Sequence, residues 1–335
     1  MRERRIPLEG HASPAALPAL QECLGAFQVR FRRPAGREAL ERDTTGLRTE
    51  RPHTHGDTIA QAVPGTRAQR VQAFLTHMPW EEADLNRQRV HQMLAEATTG
   101  DGVLGCDETG FPTPGRASVG VARQYAGTLG TGGHCQVAVT CGATAPQATW
   151  PVAVRVYLPK PWADDLECRQ QARVPTAVTG QTKPEMALAR LEHARAWGVP
   201  QRGVVAEADE GDHPNVLAGL EARQAPSVVA GRTDCPVRVG GAAASPVWQA
   251  AARLPRVPRW PWRTIRWRRG TRDGPRHAGW RVGERATQGP PEERQSCWST
   301  LPPETPLDAL AGYAHRRQAS EPCHEEATGE LGWDP

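Results

Sequence analysis

The sequence has very little lysine, no closely paired cysteines and no long apolar run. Among its 41 lysine and arginine residues only Lys160 and Lys183 are lysines, and the formal net charge is +4. A genome rich in G and C produces such a bias toward arginine without any functional cause. Arginine abundance by itself therefore does not indicate a nucleic-acid partner.

The cysteines and the apolar residues exclude two further classes of protein. None of the eight cysteines belongs to a Cys-x-x-Cys pair, which argues against a zinc knuckle or a dithiol redox motif of that kind. No apolar stretch approaches the roughly 18 residues of a membrane span, and a charged segment follows Met1 where a secretory leader would be apolar. We therefore expect a cytoplasmic chain with reduced thiols and no membrane partner.

Glycine and proline, by contrast, are abundant. They supply 33 and 31 residues, about a fifth of the 335-residue chain, and this composition predicts long irregular stretches. The length allows one large domain or two to three of ordinary size.

The N-terminal part reads as helical. Residues 1–56 are poorly defined: an amphipathic helix fits 17–29, and 30–55 is charged and predicts turns. Residues 57–98 predict three short helices, with Pro64-Gly65 as the break between the first two. Such helices suit a small DNA-binding module, and they suit a plain helical bundle equally well.

An α/β core is predicted at residues 99–230, because apolar strand patterns are followed by alternating helices and strands. This order indicates a mixed sheet flanked by helices. Predicted strands lie at 103–107, 118–125, 135–141, 152–158, 203–207 and 227–230, and predicted helices at 184–197 and 215–223. Residues 231–303 form an irregular or β insertion rich in Pro, Arg and Trp, and a last helix begins near Thr305 or Pro306 within residues 304–335.

Three acidic residues occupy positions that suit a metal site. Asp107 closes the apolar run 103–107, and Gly110 is expected to turn the chain away. Glu207 follows a second apolar strand, and Glu321 lies in a basic C-terminal helix. Three carboxylates brought together by the fold would repel one another without a bound cation. The alternative for each strand-end acid is a turn cap, which is the commoner role of such a residue taken alone.

A set of short motifs then follows one another in a familiar order. They are AVPG at 62–65, QRVQAFL at 69–75, DETGF at 107–111, GVARQYAG at 120–127, HCQV at 134–137, YLP at 157–159, WADD at 162–165, TKPE at 182–185, WRTIRW at 262–267 and AHRR at 314–317. This ordered set resembles transposases of bacterial insertion sequences in the DDE superfamily, whose catalytic core is RNase H-like.

The resemblance implies a site and a chemistry. Asp107, Glu207 and Glu321 match the three catalytic acids and would hold Mg²⁺ or Mn²⁺, and Arg317 matches an arginine four residues before the third acid, a phosphate contact. Two such ions about 3.5–4 Å apart activate water and stabilise the leaving oxygen of a phosphodiester. DNA, as transposon ends and target, is the implied partner at the nucleoid, and a homodimer is left open.

The sequence also departs from the family pattern. Glu207 stands where the family has aspartate, adding roughly 1.5 Å of reach, and Asp209 is an alternative ligand. Pro322 directly follows Glu321 inside the expected helix, which costs about 3 kcal/mol or more, and Thr328 replaces an expected lysine. These departures, and an end earlier than in relatives, predict a degenerate, C-terminally truncated copy. A catalytically inactive DNA-binding remnant is therefore the alternative to an active transposase.

The segment 259–272 interleaves arginines with tryptophans. Arginine contacts phosphates and tryptophan stacks on bases, so the resemblance favours DNA contact by Trp262, Arg263, Arg266, Trp267, Arg268 and Arg269. The alternatives are a β insertion with a small tryptophan core, or a surface for an acidic protein partner.

Overall fold

The structure is a computed structural model that describes residues 18–49, 55–96, 102–113, 115–127, 130–145, 149–207, 213–232, 236–237, 243, 245–246, 249, 263–268, 276–285, 293–302 and 304–317. These residues form two compact units, one ending at Glu96 and the other spanning residues 102–317. Within the described part of the chain, no helix is both long enough and apolar enough to cross a membrane.

The first unit is helical. Its α-helices are α1 Pro18–Gly25, α2 Pro34–Leu47, α3 Gly56–Ala62, α4 Ala68–His77 and α5 Glu82–Glu96, with a short 3₁₀ helix at Gln28–Arg30. Three aromatic rings form part of its core: the Phe74 centroid lies 5.8 Å from that of Phe31 and 6.0 Å from that of Trp80. The three helices predicted between residues 57 and 98 are confirmed as α3, α4 and α5.

Helix α2 was not predicted, and the expectation of turns throughout 30–55 is wrong for its 14 residues. Its buried positions are Gly36, Asp43, Thr45 and Gly46, so the face turned inward carries no apolar stripe that a hydrophobic period would detect. The glycine is needed at position 46 because a Cβ there would lie 2.5 Å from a side-chain carbon of Ile59.

The second unit is built on a mixed sheet. Its strand order is β2-β3-β1-β5-β6-β11-β10-β9, with β4 also paired to β3. The strands are β1 Val103–Pro112, β2 Ala122–Ala126, β3 Thr131–Thr144, β4 Thr149–Val156, β5 Gly203–Ala206, β6 Ser227–Ala230, β9 Arg263–Arg268, β10 Arg276–Arg285 and β11 Glu293–Ser299. A separate pair joins β7 Pro236–Val237 to β8 Ser245–Pro246.

Long strand pairing explains where the predicted strand limits fail. Strand β3 has 14 residues. Its part from Cys135 to Thr144 pairs with the whole of β1, while β2 and then β4 pair with its other edge. As a result β1 continues to Pro112 instead of ending at Asp107, and β3 begins at Thr131 instead of at residue 135. Strand β2 is confined to Ala122–Ala126, although a start at 118 was expected.

Strands from the inserted segment extend the core sheet. Strand β11 pairs antiparallel with β6, β10 pairs with β11, and β9 pairs with β10. This arrangement fits the predicted β insertion before the last helix.

Helices cover both faces of this sheet. The α-helices of this unit are α6 Lys160–Asp164, α7 Leu166–Gln171, α8 Lys183–Ala196, α9 Pro214–Ala222 and α10 Leu307–Arg316. Helix α8 packs on β1, β3 and β4, and α10 packs on β5 and β6. The predicted mixed α/β architecture is confirmed, and it is consistent with an RNase H-like fold.

Candidate active site

Asp107 and Glu207 lie side by side where the parallel pairing of β1 and β5 ends. Strands β1 and β5 are parallel, and their register ends with Cys106 opposite Ala206. The residue that follows Cys106 is Asp107, and the residue that follows Ala206 is Glu207. Because neighbouring strands are about 4.8 Å apart, the fold brings together two carboxylates that are a hundred positions apart in sequence.

The two acids also share one face of the sheet. Side chains alternate along a strand, and Glu108 points toward α8, where its carboxylate pairs with the amine of Lys183. Asp107 therefore projects from the opposite face. Glu207 projects there too, because it contacts Arg317, which directly follows α10.

Helix α10 is held against this face by a small apolar cluster. Val228 of β6, Cys297 of β11 and Leu301 pack with Leu310 and Ala314 of the helix. The helix positions its last turn so that Arg317 Nε lies 3.2 Å from Glu207 Oε1, with the arginine side chain 12% and the glutamate 31% exposed. The residue predicted to contact phosphate is thus ion-paired with one of the predicted metal ligands.

The backbone around Asp107 is fixed by two hydrogen bonds. The amide of Glu108 donates to Asp107 Oδ1 at 2.7 Å. The Thr140 hydroxyl of β3 donates to the Asp107 carbonyl oxygen at 3.1 Å. Strand β1 continues past the acid, so Asp107 stands at the end of the parallel ladder but in the middle of the antiparallel one.

The ion pair between Glu108 and Lys183 was not predicted from the sequence. Lys183 opens α8, and its amine also lies 5.7 Å from the centre of the Tyr157 ring. Burial raises the pKa of the nearby Cys135 thiol, an effect that the positive charge of Lys183 partly offsets. The available signal was the TKPE motif, which carries one of only two lysines in the chain.

The described residues supply two of the three predicted acidic ligands. Within them, no group of three His, Cys, Asp or Glu side chains is placed to hold a metal ion. Glu321 and the alternative ligand Asp209 lie outside the described residues, as do Pro322 and Thr328. Two adjacent carboxylates nevertheless suit Mg²⁺, which proteins commonly bind through one or two carboxylates, water and substrate phosphates.

The predicted DNA-contacting residues of the insertion are described only in part. Arg263, Arg266, Trp267 and Arg268 belong to β9, whose backbone pairs with β10, but their side chains lie outside what the structure describes. Trp262 and Arg269 fall outside the described residues altogether.

The fold and the paired acids agree with the comparison with known families. Residues 49–287 match the DDE superfamily endonuclease family, a match over more than half of the chain. The chain belongs to this family. Comparison with curated proteins gives no match.

Family membership supports a nuclease- or transposase-type function with DNA as substrate, in a superfamily that typically uses divalent metals. The matched range contains Asp107 and Glu207. It ends before α10, so the roles predicted for Arg317 and Glu321 rest on the spacing of these residues, of which only Arg317, beside Glu207, is described.

Proposed function

We propose that the chain is a DNA transposase that cuts phosphodiesters at insertion-sequence ends and joins them to target DNA. The observation that carries the proposal is the register of β1 and β5, which sets Asp107 beside Glu207 on the face covered by α10. Glu321, four residues beyond Arg317, is the proposed third ligand.

Each residue has a distinct part in this proposal. Asp107 and Glu207 offer hard oxygen ligands from a rigid sheet, which is the donor type that Mg²⁺ and Mn²⁺ prefer. Divalent ions held there would activate the attacking hydroxyl and stabilise the leaving oxygen. The planar guanidinium of Arg317 suits a two-pronged contact to a phosphate. Water attacks first, and the freed 3′-hydroxyl then attacks the target phosphodiester by in-line displacement.

The rest of the chain takes supporting roles in this proposal. Residues 57–98 serve as a helical DNA-binding region, 99–230 with 304–335 as the catalytic core, and 231–303 as a basic insertion that contacts DNA. A homodimer would bring two transposon ends together.

The second candidate is a DNA-binding remnant that no longer cleaves. The ion pair between Arg317 and Glu207 favours it, because the guanidinium engages an oxygen that a metal ligand must offer. Glutamate in place of the family's aspartate favours it as well, since misplacing a reacting group by about 1 Å can cost on the order of 10²-fold in rate.

A cleavage assay separates the two candidates. The substrate is supercoiled plasmid bearing the inverted repeats that flank the coding sequence, incubated with Mg²⁺ or with Mn²⁺. An active transposase produces nicks at the repeat ends with either metal and none in EDTA. Binding without nicks at any metal concentration would leave only the remnant.

A further inference from the structure

Helix α4 has two faces of opposite character. Val71 and Phe74 are buried in the helical unit. The stripe on the far side of the helix, spaced three and four residues apart, is exposed and rich in polar side chains. It consists of Gln69, Gln72, Ala73 and Thr76. At 3.6 residues per turn, these four positions point directly away from the buried pair.

The charge of α4 favours a polyanion as the binding partner of that exposed stripe. Arg67 is the N-cap residue. Arg70 lies in the first turn with 56% of its side chain exposed, and its contact with the acid Glu38 is long, 3.9 Å from Nη2 to Oε2. Among the α-helices described in this unit, α4 is the one without an aspartate or glutamate. The positive end of the helix dipole adds to the attraction for phosphate at the same end.

The connection from α3 to α4 has the length and chemistry of a helix-turn-helix. Helix α3 ends at the C-cap Val63, α4 begins from the N-cap Arg67, and three residues lie between them. Gly65 has a φ of +75°, a left-handed conformation that glycine adopts without strain. Short turns that contain glycine join the two helices of this DNA-binding motif.

An arginine from α2 fixes the shape of this turn. Arg42 Nη1 donates to the Pro64 carbonyl oxygen at 2.8 Å and to Thr66 Oγ1 at 3.1 Å. Glu38 holds the guanidinium in place, accepting from Arg42 Nε at 3.0 Å. A Cβ at residue 65 would lie 3.1 Å from Arg42 Nη1, so the turn and the arginine fit closely. Helix α2 thereby sets the direction in which α4 leaves the turn.

We propose that α4 is the base-reading helix of a helix-turn-helix and binds the major groove of duplex DNA. This inference rests on the proposed function, because it identifies the element that recognises the DNA substrate. Glutamine amides can pair with both polar groups of an adenine edge, and the Ala73 methyl group can contact thymine. Arg70 contacts a phosphate. The 10-residue helix is about 15 Å long, and the groove is about 12 Å wide, so the exposed stripe can reach several base pairs.

Selection from a random library tests the proposal on the full chain. The probe is a pool of duplexes with a random region of about 20 bp, two helical turns, and the protein carries Asp107→Asn so that cleavage does not interfere. We expect a defined sequence to be enriched, and Gln69→Ala or Gln72→Ala to weaken binding to it by roughly tenfold or more relative to random DNA. Arg70→Ala should weaken binding to every sequence and lower the slope of log affinity against log salt by about one.

Two matched variants serve as controls. Gln170→Ala removes an exposed glutamine from α7 of the other unit, and Arg87→Ala removes an arginine that Asp84 already neutralises at 2.9 Å. Neither should change the enriched sequence. The proposal is overturned if no sequence is enriched, or if the α4 glutamine variants match Gln170→Ala within twofold. If the wild-type chain fails to nick its repeats with Mg²⁺ or Mn²⁺ while the Asp107→Asn protein still enriches a sequence, only the catalytic proposal is refuted, so the two failures are distinguishable.

Discussion

Two carboxylates at the end of the parallel strands each meet a cation, but on opposite faces of the sheet. Glu108 pairs with Lys183 under α8, and Glu207 pairs with Arg317 beside Asp107. In the proposed function the first pair only fastens α8 to β1. In the second pair, Arg317 binds the carboxylate of Glu207, which is also a proposed metal ligand. An ion pair is therefore structural on one face of the sheet, and on the other face it competes with metal binding.

The capping of α8 supports the structural role of the first pair. Thr182 accepts from the Glu185 amide at 3.4 Å, and the Glu185 carboxylate accepts from the Thr182 amide at 2.8 Å. The Thr182 hydroxyl also donates to that carboxylate at 2.9 Å, and the bonds donated by the Thr182 amide first and then by its hydroxyl lower the pKa of Glu185. Lys183 therefore begins a helix whose N-terminus is already fixed, whereas Arg317 follows the last described turn of α10.

The largest effect is expected from Asp107→Asn. Removing a ligand charge loses several kcal/mol of stabilisation in the transition state, so metal-dependent nicking should fall by about 10³-fold. Asp164→Asn is the matched control, because this acid is 65% exposed and, within the described part of the chain, pairs with Lys160 of its own helix. Equal nicking by the Asp107 and Asp164 variants would place the reaction elsewhere.

The next effect concerns the length of the second acid. Glu207→Asp restores the family's residue and withdraws the carboxylate by roughly 1.5 Å, which also lengthens its contact with Arg317. If glutamate is the reason for weak catalysis, nicking should rise by roughly 10- to 100-fold. A Glu108→Asp variant, which shortens the acid on the other face, should not raise it. A fall in nicking with Glu207→Asp would show that this chain has adapted to glutamate.

Asp43, a buried acid in the helical unit, differs from Glu108 and Glu207 because no described cation pairs with it. No described residue forms an ion pair with Asp43, and burial raises its pKa from 3.8 to about 6. Since the folded pKa is the higher one, the protonated acid is favoured by folding, and stability is lost as pH rises from about 4 to 6.

Asp43→Asn should therefore raise the free energy of unfolding by about 2 kcal/mol at pH 7 and change it little at pH 4. Chemical denaturation of the full chain at both pH values measures this difference. A stability gain of the same size at both pH values would contradict a raised pKa of Asp43 in the folded protein.

A double-mutant cycle measures the Glu108–Lys183 pair. Both side chains are about a quarter exposed, so the coupling should lie between that of surface and buried pairs, about 1–2 kcal/mol of unfolding free energy. The variants are Glu108→Gln, Lys183→Met and their combination, and Mn²⁺ affinity should stay within about twofold of wild type in each. A large loss of Mn²⁺ affinity would give this pair a part in the site.

The smallest effect is the one that separates the two pairs most cleanly. Arg317→Gln removes the cation that competes for Glu207, so Mn²⁺ binding without DNA should tighten by a few-fold, while Lys183→Gln leaves it unchanged. Nicking should nevertheless fall with Arg317→Gln, because the phosphate contact is lost as well. Weaker Mn²⁺ binding by this variant would mean that Arg317 supports the metal site instead of opposing it.

Local patterns were enough to predict much of this fold. The strand at 227–230 was predicted with its observed bounds, and 203–207 with one residue too many, because both are short buried apolar runs of the kind found in parallel strands. Helix α8 was predicted because its apolar face and its Gly198 stop are local signals.

The failures of prediction have non-local causes. The continuation of β1 past Asp107 depends on its antiparallel partner β3, which no pattern within 103–112 reveals. Helix α2 buries small and polar residues, so it has no apolar period. The Glu108–Lys183 pair joins residues 75 apart, whereas Asp107 and Glu207 could each be recognised from the end of a short apolar run. Their role as ligands, and that of Glu321, remains a prediction.

Mn²⁺ titration by calorimetry, on the full chain without DNA, is the most direct test of the shared site. The proteins are wild type, Asp107→Asn, Glu207→Gln and the double variant. If the two neighbouring strand ends hold one ion between them, each single change should weaken binding by at least tenfold, and the double variant should be little worse than either. Unchanged Mn²⁺ affinity in both single variants would contradict the central claim.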